Sequence, residues 1–322
     1  MTVLVTGAAG FIGFSTCLRL LTSGKQVIGI DNLNSYYDPA LKNARLAQLE
    51  AFPNFTFRKI DIAADDLLTV FTAFEQCSIT EILHFAAQAG VRHSVTMPFA
   101  FVDANVRGQV AILELARRLP ALRHIVYASS SSVYGRNAAL PFRETDRVDQ
   151  PGSFYAVSKR SAELTAECYH HLHQLPLTGL RFFTVYGPWG RPDMAYYLFA
   201  KAITEGRPVT LYEGASLGRD FTFIDDAVDA ICAVMDLPPS GKARILNIGS
   251  NVPEPVVRLI SLLENFLGRK ADIQLTPRPS ADVEYTWASL EQIQQLIDWQ
   301  PTTSLETGLE QFSRWFLNYQ HS

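Results

Sequence analysis

Up to Tyr186, apolar residues fall in short continuous runs separated by stretches of helical length. Thr2 to Thr6 is β-branched and apolar and ends at a glycine; a helical stretch to about Ser23 and a second run, Gln26 to Ile30, follow. Together they predict a strand, a helix and a strand. Further runs at Phe55 to Ile60, Glu81 to Phe85, His124 to Ala128 and Thr178 to Val185 repeat the pattern. Runs that are continuous rather than alternating suit strands covered on both faces, so the fold expected is α/β with a doubly wound, Rossmann-like parallel sheet. After Tyr186, prolines at 188, 192, 208, 238, 239, 253, 255, 277, 279 and 301 interrupt shorter elements. We expect residues 1–180, with a return segment at about 220–248, to form the larger domain, and 181–219 with 249–322 to form a second, smaller α+β domain. In the last helix Thr303 and Glu306 fit a capping box, and Leu305, Leu309, Phe312 and Phe316 make one apolar stripe.

Composition narrows the picture. Of 322 residues 48% are hydrophobic and 19% charged, which supports a buried core and excludes a disordered or fibrous chain. With 28 Lys and Arg against 32 Asp and Glu the net charge is −4, so no overall positive field exists to draw nucleic acid or anionic lipid. Cys17, Cys77, Cys168 and Cys232 are too dispersed for a metal ribbon or disulfide framework and are expected to be reduced packing residues. Glycines interrupt the apolar amino terminus and no apolar run approaches the ~20 residues of a membrane span, so a soluble, cytoplasmic protein is expected. His170, His171 and His173 share one helix without spaced carboxylate or cysteine partners; they suit a solvated helix end, and no metal is expected.

Gly7-x-x-Gly10-x-x-Gly13 stands between the first strand and the first helix. Glycines there permit a tight turn and let backbone N–H groups approach a pyrophosphate at a helix amino end. Asp31, eighteen residues after Gly13 at the end of the next strand, would accept hydrogen bonds from ribose hydroxyls and repel a 2′-phosphate, which favours NAD over NADP. A purely local alternative makes Asp31 a turn residue with Asn32 and Asn34. Asp61 and Ile62, closing the third strand, are placed to frame the adenine.

Tyr155 and Lys159 are four residues apart, hence on one face of a helix. Free tyrosine titrates near 10, and a neighbouring ammonium together with a cationic nicotinamide ring favours the phenolate that a base at neutral pH requires. The run Ser129 to Ser132 closes the strand beginning at His124, at the sheet edge where doubly wound folds bind ligands.

Gly7 to Gly13, Ser130 to Gly135 and Tyr155 to Lys159 together resemble the extended short-chain dehydrogenase/reductase family, from Thr2 to about Phe316. Within it, Asp31-Asn-Leu-Asn-Ser-Tyr-Tyr-Asp-Pro39 and the segment Arg181 to Met194 look like the UDP-glucuronate 4-epimerases. The resemblance implies a catalytic Tyr155, Lys159 and Ser130, the last lying three positions before the Val of Val133-Tyr134-Gly135. It implies NAD contacts from Gly7, Gly10, Phe11, Ile12, Gly13, Asp31, Asn32, Asp61, Ile62, Ala86, Ala87, Asn105, Tyr155 and Lys159. For the UDP-sugar it implies Ser130, Ser131, Thr184, Arg191, Arg219 and Arg92, the last being as readily a structural ion pair. Family members commonly carry Arg or Gln three residues before a late Asp; here Pro279 stands there before Asp282, with Arg278 one position further back as the candidate.

Related dehydratases carry Asp-Glu, and UDP-glucuronate decarboxylases a Glu, where this chain has Ser131 and Ser132. The lack of a carboxyl group to work on C5 therefore points to simple 4-epimerisation of UDP-glucuronate to UDP-galacturonate. The alternatives are a UDP-glucose or UDP-N-acetylglucosamine 4-epimerase, a UDP-glucuronate decarboxylase and, in a different class, a non-catalytic NAD sensor. The resemblance also implies a homodimer, with Leu113 and Leu164 in its apolar interface.

Overall fold

The computed structural model describes residues 1–64, 72, 74, 77–136, 139–213, 217–238, 240–277 and 285–320. The chain forms two compact units, one of residues 1–137, 147–182 and 228–246, the other of 138–146, 183–227 and 247–322. Its elements are, in order, β1 (Thr2–Thr6), α1 (Phe11–Thr22), β2 (Gln26–Asp31), α2 (Pro39–Glu50), β3 (Phe55–Lys59), β4 (Ile79–His84), α3 (His93–Thr96) and α4 (Pro98–Phe101). A π-helical turn (Val102–Arg107), α5 (Gly108–Ala116), β5 (His124–Ser130), a 3₁₀ turn (Ser131–Tyr134), α6 (Phe154–His173) and β6 (Leu177–Phe182) follow. Then come β7 (Thr184–Tyr186), α7 (Ala195–Glu205), β8 (Val209–Tyr212), β9 (Gly218–Phe223), α8 (Ile224–Met235), β10 (Arg244–Ile248) and β11 (Pro253–Pro255). The chain closes with α9 (Val256–Leu267), β12 (Ile273–Thr276), α10 (Glu291–Leu296) and α11 (Leu305–Gln320).

The larger unit is built on a seven-stranded sheet of order β10-β6-β5-β4-β1-β2-β3. Strands β3, β2, β1, β4, β5 and β6 pair in parallel, each with the next. Helix α1 with β2 continues from β1 in one direction and the β4, β5 and β6 series in the other, so the winding reverses between β1 and β4. That reversal opens a crevice beyond the carboxyl ends of these two strands. Leu4, Ile30, Ile82, Ile125 and Leu177 from the sheet pack with Ile112, Leu113 and Leu115 from α5 in one core. Helix starts follow local chemistry. Asp38 caps α2 by accepting from Ala40 N–H at 2.9 Å ahead of Pro39, and Ser153 caps α6 through Ala156 N–H at 3.1 Å.

The smaller unit holds a three-stranded sheet, β11-β9-β7, and the parallel pair β8 and β12. The apolar run Thr178 to Val185 is therefore not one strand. It ends at Phe182, Phe183 turns its N–H to the Ile248 carbonyl at 2.9 Å, and β7 pairs with β9 instead. A continuous apolar run records that both parts are buried, not that the partner changes. The expected capping box also shifts: Ser304, not Thr303, caps α11 by accepting from Thr307 N–H at 3.1 Å, while Thr303 N–H bonds Asp226. The apolar stripe of α11 is buried as expected, Leu309, Phe312 and Phe316 completely so.

Three surface expectations need correction. Leu113 is fully buried on the sheet side of α5 and is not part of an outer face. Cys168 is exposed on α6 rather than packed. His170 is buried with Nδ1 2.8 Å from the Leu175 carbonyl oxygen, because the helix ends against the return to β6; only His171 and His173 are exposed. No described helix is long and apolar enough to cross a membrane.

Candidate active site

The glycine turn closes against the end of β4. Gly7 has φ +72°, and a Cβ there would lie 2.7 Å from the Ala86 nitrogen. Gly10 N–H donates to the Gly7 carbonyl at 2.8 Å, and a Cβ on Gly13 would collide with that same carbonyl oxygen. Gly10 begins α1, where no side chain caps the helix and no acidic residue stands in the first turn. Backbone amides with no side chain in front of them, at the positive end of a helix dipole, fit a pyrophosphate. Phe11 and Ile12 open α1, and Ala86 N–H bonds Thr6 Oγ1 at 3.0 Å, which brings the Ala86–Ala87 backbone beside the turn.

Asp31 is 8% exposed at the end of β2, with one carboxylate oxygen accepting from Ala9 N–H at 3.2 Å and the other from Leu33 N–H at 2.8 Å. The glycine turn itself thus helps to aim this carboxylate. The local reading of Asp31 and Asn32 as turn residues is realised at the same time, since Asn32 Oδ1 accepts from Asn34 N–H at 3.0 Å. Asn32 Nδ2 donates to Asp61 Oδ2 at 3.0 Å, joining the loops after β2 and β3, and Ile62 is buried next to them. Strand β3 stops at Lys59, so Asp61 and Ile62 stand in the following loop rather than in the strand.

Tyr155 and Lys159 lie on the first turns of α6, Tyr155 half-buried and Lys159 buried. The Lys159 ammonium donates to the Ala128 carbonyl at 2.9 Å, which pins it to β5 two residues before Ser130. Ser130 Oγ accepts from Ser132 N–H at 3.2 Å and starts the 3₁₀ turn that carries Ser131. Tyr155 meets Phe101 edge to face at 6.0 Å between ring centroids. Asn105 sits in the π-helical turn and is buried; its Oδ1 accepts from Gln88 N–H at 2.7 Å. Its Nδ2 donates to the Gln88 carbonyl and to Ser158 Oγ, both at 2.9 Å. Inserted π turns recur at functional sites, and this one ties the loop after β4 to the helix bearing Tyr155.

Sequence reasoning passed over several buried polar groups here. His84 Nδ1 lies 2.6 Å from Thr6 Oγ1, and burial, reinforced by the Lys159 charge, pushes its imidazolium down to about 3, so it is neutral. Glu163 accepts from Ser129 Oγ at 2.6 Å and pairs with Arg181. The spacing of Tyr155, Lys159 and Glu163, four and four, was a visible signal for one helix face.

In the smaller unit, Thr184 opens β7 opposite Phe221, and Arg219 on β9 donates from Nη1 to the Gly218 carbonyl at 2.9 Å. Arg191 is half-buried and grips Asp193 with Nε to Oδ1 at 3.0 Å and Nη2 to Oδ2 at 2.5 Å. Arg92, in the larger unit, is exposed at the start of α3. Arg278 and Asp282 lie outside the described residues.

The profile of a family described as "NAD dependent epimerase/dehydratase family" matches residues 3–249. A UDP-glucuronate 4-epimerase of Arabidopsis thaliana is 43% identical over 334 residues, covering 99% of this chain and 77% of its own. The crystal structure of UDP-glucuronic acid 4-epimerase from Bacillus cereus, in complex with UDP-glucuronic acid and NAD, superposes with a TM-score of 0.91. It is 33% identical and covers 99% of this chain and 100% of its own. A UDP-glucose 4-epimerase from Thermotoga maritima, solved with UDP-glucose, gives a TM-score of 0.89 at 28% identity, covering 99% of this chain and 100% of its own.

Proposed function

The chain belongs to the NAD-dependent epimerase/dehydratase family, and on that premise we propose that it interconverts UDP-glucuronate and UDP-galacturonate by reversible oxidation at C4 of the sugar. The observation that carries this reading is the attachment of Lys159 to the β5 carbonyl two residues before Ser130, one helical turn from Tyr155. That attachment supports a shared role for the proposed base, cation and hydroxyl donor, in a chain 43% identical, over 99% of its length, to a UDP-glucuronate 4-epimerase.

Bound NAD supplies the hydride acceptor and donor. Gly7, Gly10 and Gly13 with the amino end of α1 hold its pyrophosphate, Asp31 a ribose, and Asn32, Asp61 and Ile62 the adenine side. Tyr155 takes the proton of the C4 hydroxyl and later restores it, while Ser130 donates a hydrogen bond to the same oxygen. Lys159, its charge fixed by the Ala128 carbonyl, favours the phenolate form of Tyr155. Because a 4-keto hexuronate is a β-keto acid, its carboxylate must be kept from aligning for loss of CO₂. Ser131, Thr184 and Arg191 are assigned that restraint, and Arg219 the diphosphate. Arg92, Arg278 and Asp282 complete the proposed sugar-nucleotide contacts.

The same reading makes the protein a cytoplasmic homodimer. Val95, Met97, Phe99 and Leu164 are 68%, 53%, 80% and 55% exposed on the outer surface of the larger unit, an apolar patch that suits a second copy. Four cysteines, none of them in a disulfide, suit a reducing compartment. The test is product analysis with UDP-glucuronate. UDP-galacturonate without CO₂ is expected, whereas UDP-pentose with CO₂ as the main product would sink the epimerase assignment. Turnover of UDP-glucose alone would favour the second reading, for which the likeness to the Thermotoga maritima enzyme speaks.

A further inference from the structure

Glu163 stands one turn beyond Lys159 and two beyond Tyr155 on α6, and the reaction described above makes no use of it. Its side chain is 1% exposed and that of its partner Arg181 is 3% exposed. Every contact is directional. Oε1 accepts from Ser129 Oγ at 2.6 Å and from Arg181 Nε at 2.8 Å. Oε2 accepts from Arg181 Nη2 at 3.0 Å and from Arg160 Nη1 at 2.9 Å. Arg181 also lies over the Tyr134 ring, 4.8 Å from its centroid, at the end of the serine-bearing 3₁₀ turn. Burial alone would raise the Glu163 carboxyl, but the hydrogen bonds and charge of Arg181, then Ser129 and Arg160, hold it below the usual range.

Buried ion pairs are a poor source of stability compared with apolar packing, so this one calls for another purpose. Three consecutive residues of β5 supply it. Ala128 receives the Lys159 ammonium, Ser129 bonds Glu163, and Ser130 turns its hydroxyl to the 3₁₀ turn. Helix α6 is therefore pegged to β5 at two points one turn apart, and two pegs fix both its rotation and its height along the strand. We infer that Glu163 is a positioning residue which, through Ser129 and Arg181, sets the separation between the Tyr155 phenol and the Ser130 hydroxyl. This rests on the proposed roles of Tyr155 and Ser130. It matters because a misplacement of about 1 Å costs on the order of a hundredfold in rate.

The test compares Ser129→Ala, which deletes one peg while leaving a small apolar strand residue, with Glu163→Gln, which keeps shape but not charge. Both are assayed on UDP-glucuronate well below their unfolding midpoints, with bound NAD quantified. Expected are a loss of about tenfold in kcat for Ser129→Ala and about a hundredfold for Glu163→Gln, with KM within about threefold and NAD content unchanged. A kcat for Ser129→Ala within twofold of the wild type overturns the inference, as does a loss that only follows the unfolded fraction or falls in KM alone. If Glu163→Gln does not fold, Ser129→Ala decides. A wild-type protein that turns over no UDP-sugar overturns the functional reading and this inference together.

Discussion

The proposed catalytic groups on α6 and β5 are fixed by bonds that span long stretches of the chain, whereas the proposed substrate arginines after β7 carry bonds to near neighbours in the sequence. Lys159 reaches 31 residues back in the sequence, Glu163 reaches 34 and Ser158 reaches 53 to Asn105. Arg191 also bonds Asp193, two residues on, and Arg219 the carbonyl of Gly218, one residue back. Long-range bonds exist only when the whole sheet is assembled, so the first group is preorganised by the fold. Local bonds form in almost any context and exchange readily, so the Arg191–Asp193 fork is one that a substrate can displace. Chemistry common to many sugars needs the former; selection among sugars is served by the latter.

That contrast can be broken from either side. Tyr155→Phe keeps the ring and its contact with Phe101 but removes the proton acceptor. Turnover should fall by about a thousandfold with NAD still bound, and substantial residual turnover would falsify the assigned base. The next largest effect concerns pH. The imidazole of His84 binds a proton in the folded chain only near pH 3, against 6.5 when exposed, so the unfolded chain takes up the proton first. Its contribution is thus complete above pH 6.5 and lost as the pH falls towards 3, on the order of a few kcal/mol. His84→Gln should flatten denaturant-measured stability in that window, and an unchanged slope would contradict its burial as a neutral group.

On the other side, Arg191→Ala should raise KM for UDP-glucuronate by about ten- to a hundredfold, as loss of a charged hydrogen bond implies, and for UDP-glucose much less. Equal losses would remove Arg191 from carboxylate recognition. Smallest of all, Asp193→Asn releases the guanidinium fork. KM for UDP-glucuronate should fall about two- to fivefold while unfolding free energy changes by under ~1 kcal/mol, since both side chains are partly exposed. A rise in KM would mean that Asp193 aims Arg191 instead of occupying it.

The same contrast explains what the sequence discloses. Gly7, Gly10, Gly13 and Asp31 were legible because the constraint on each is local: a turn, a helix start, a strand end. Strands β1, β2, β4 and β5 were legible because burial on both faces leaves largely apolar runs, and the edge strand β3, only partly buried, because of its aromatic and β-branched residues. Glu163 and Arg181 were not singled out, since a carboxylate on a helix usually faces water, and only the strand packed beneath shows that this one does not. The division of Thr178 to Val185 between two sheets and the transfer of the α11 cap to Ser304 depend on which backbone groups arrive nearby, which no periodicity encodes.

The order of the segments has a consequence for synthesis. Residues 228–246 of the larger unit, which begin the outermost strand β10, are made only after 183–227 of the smaller one. On the ribosome, β6 therefore waits as a bare edge while residues 183–227 of the other unit emerge. Such an edge is a template for mispairing, and chaperone demand or loss to aggregates should concentrate in that interval. For the same reason, no single cut in the gene yields both units whole.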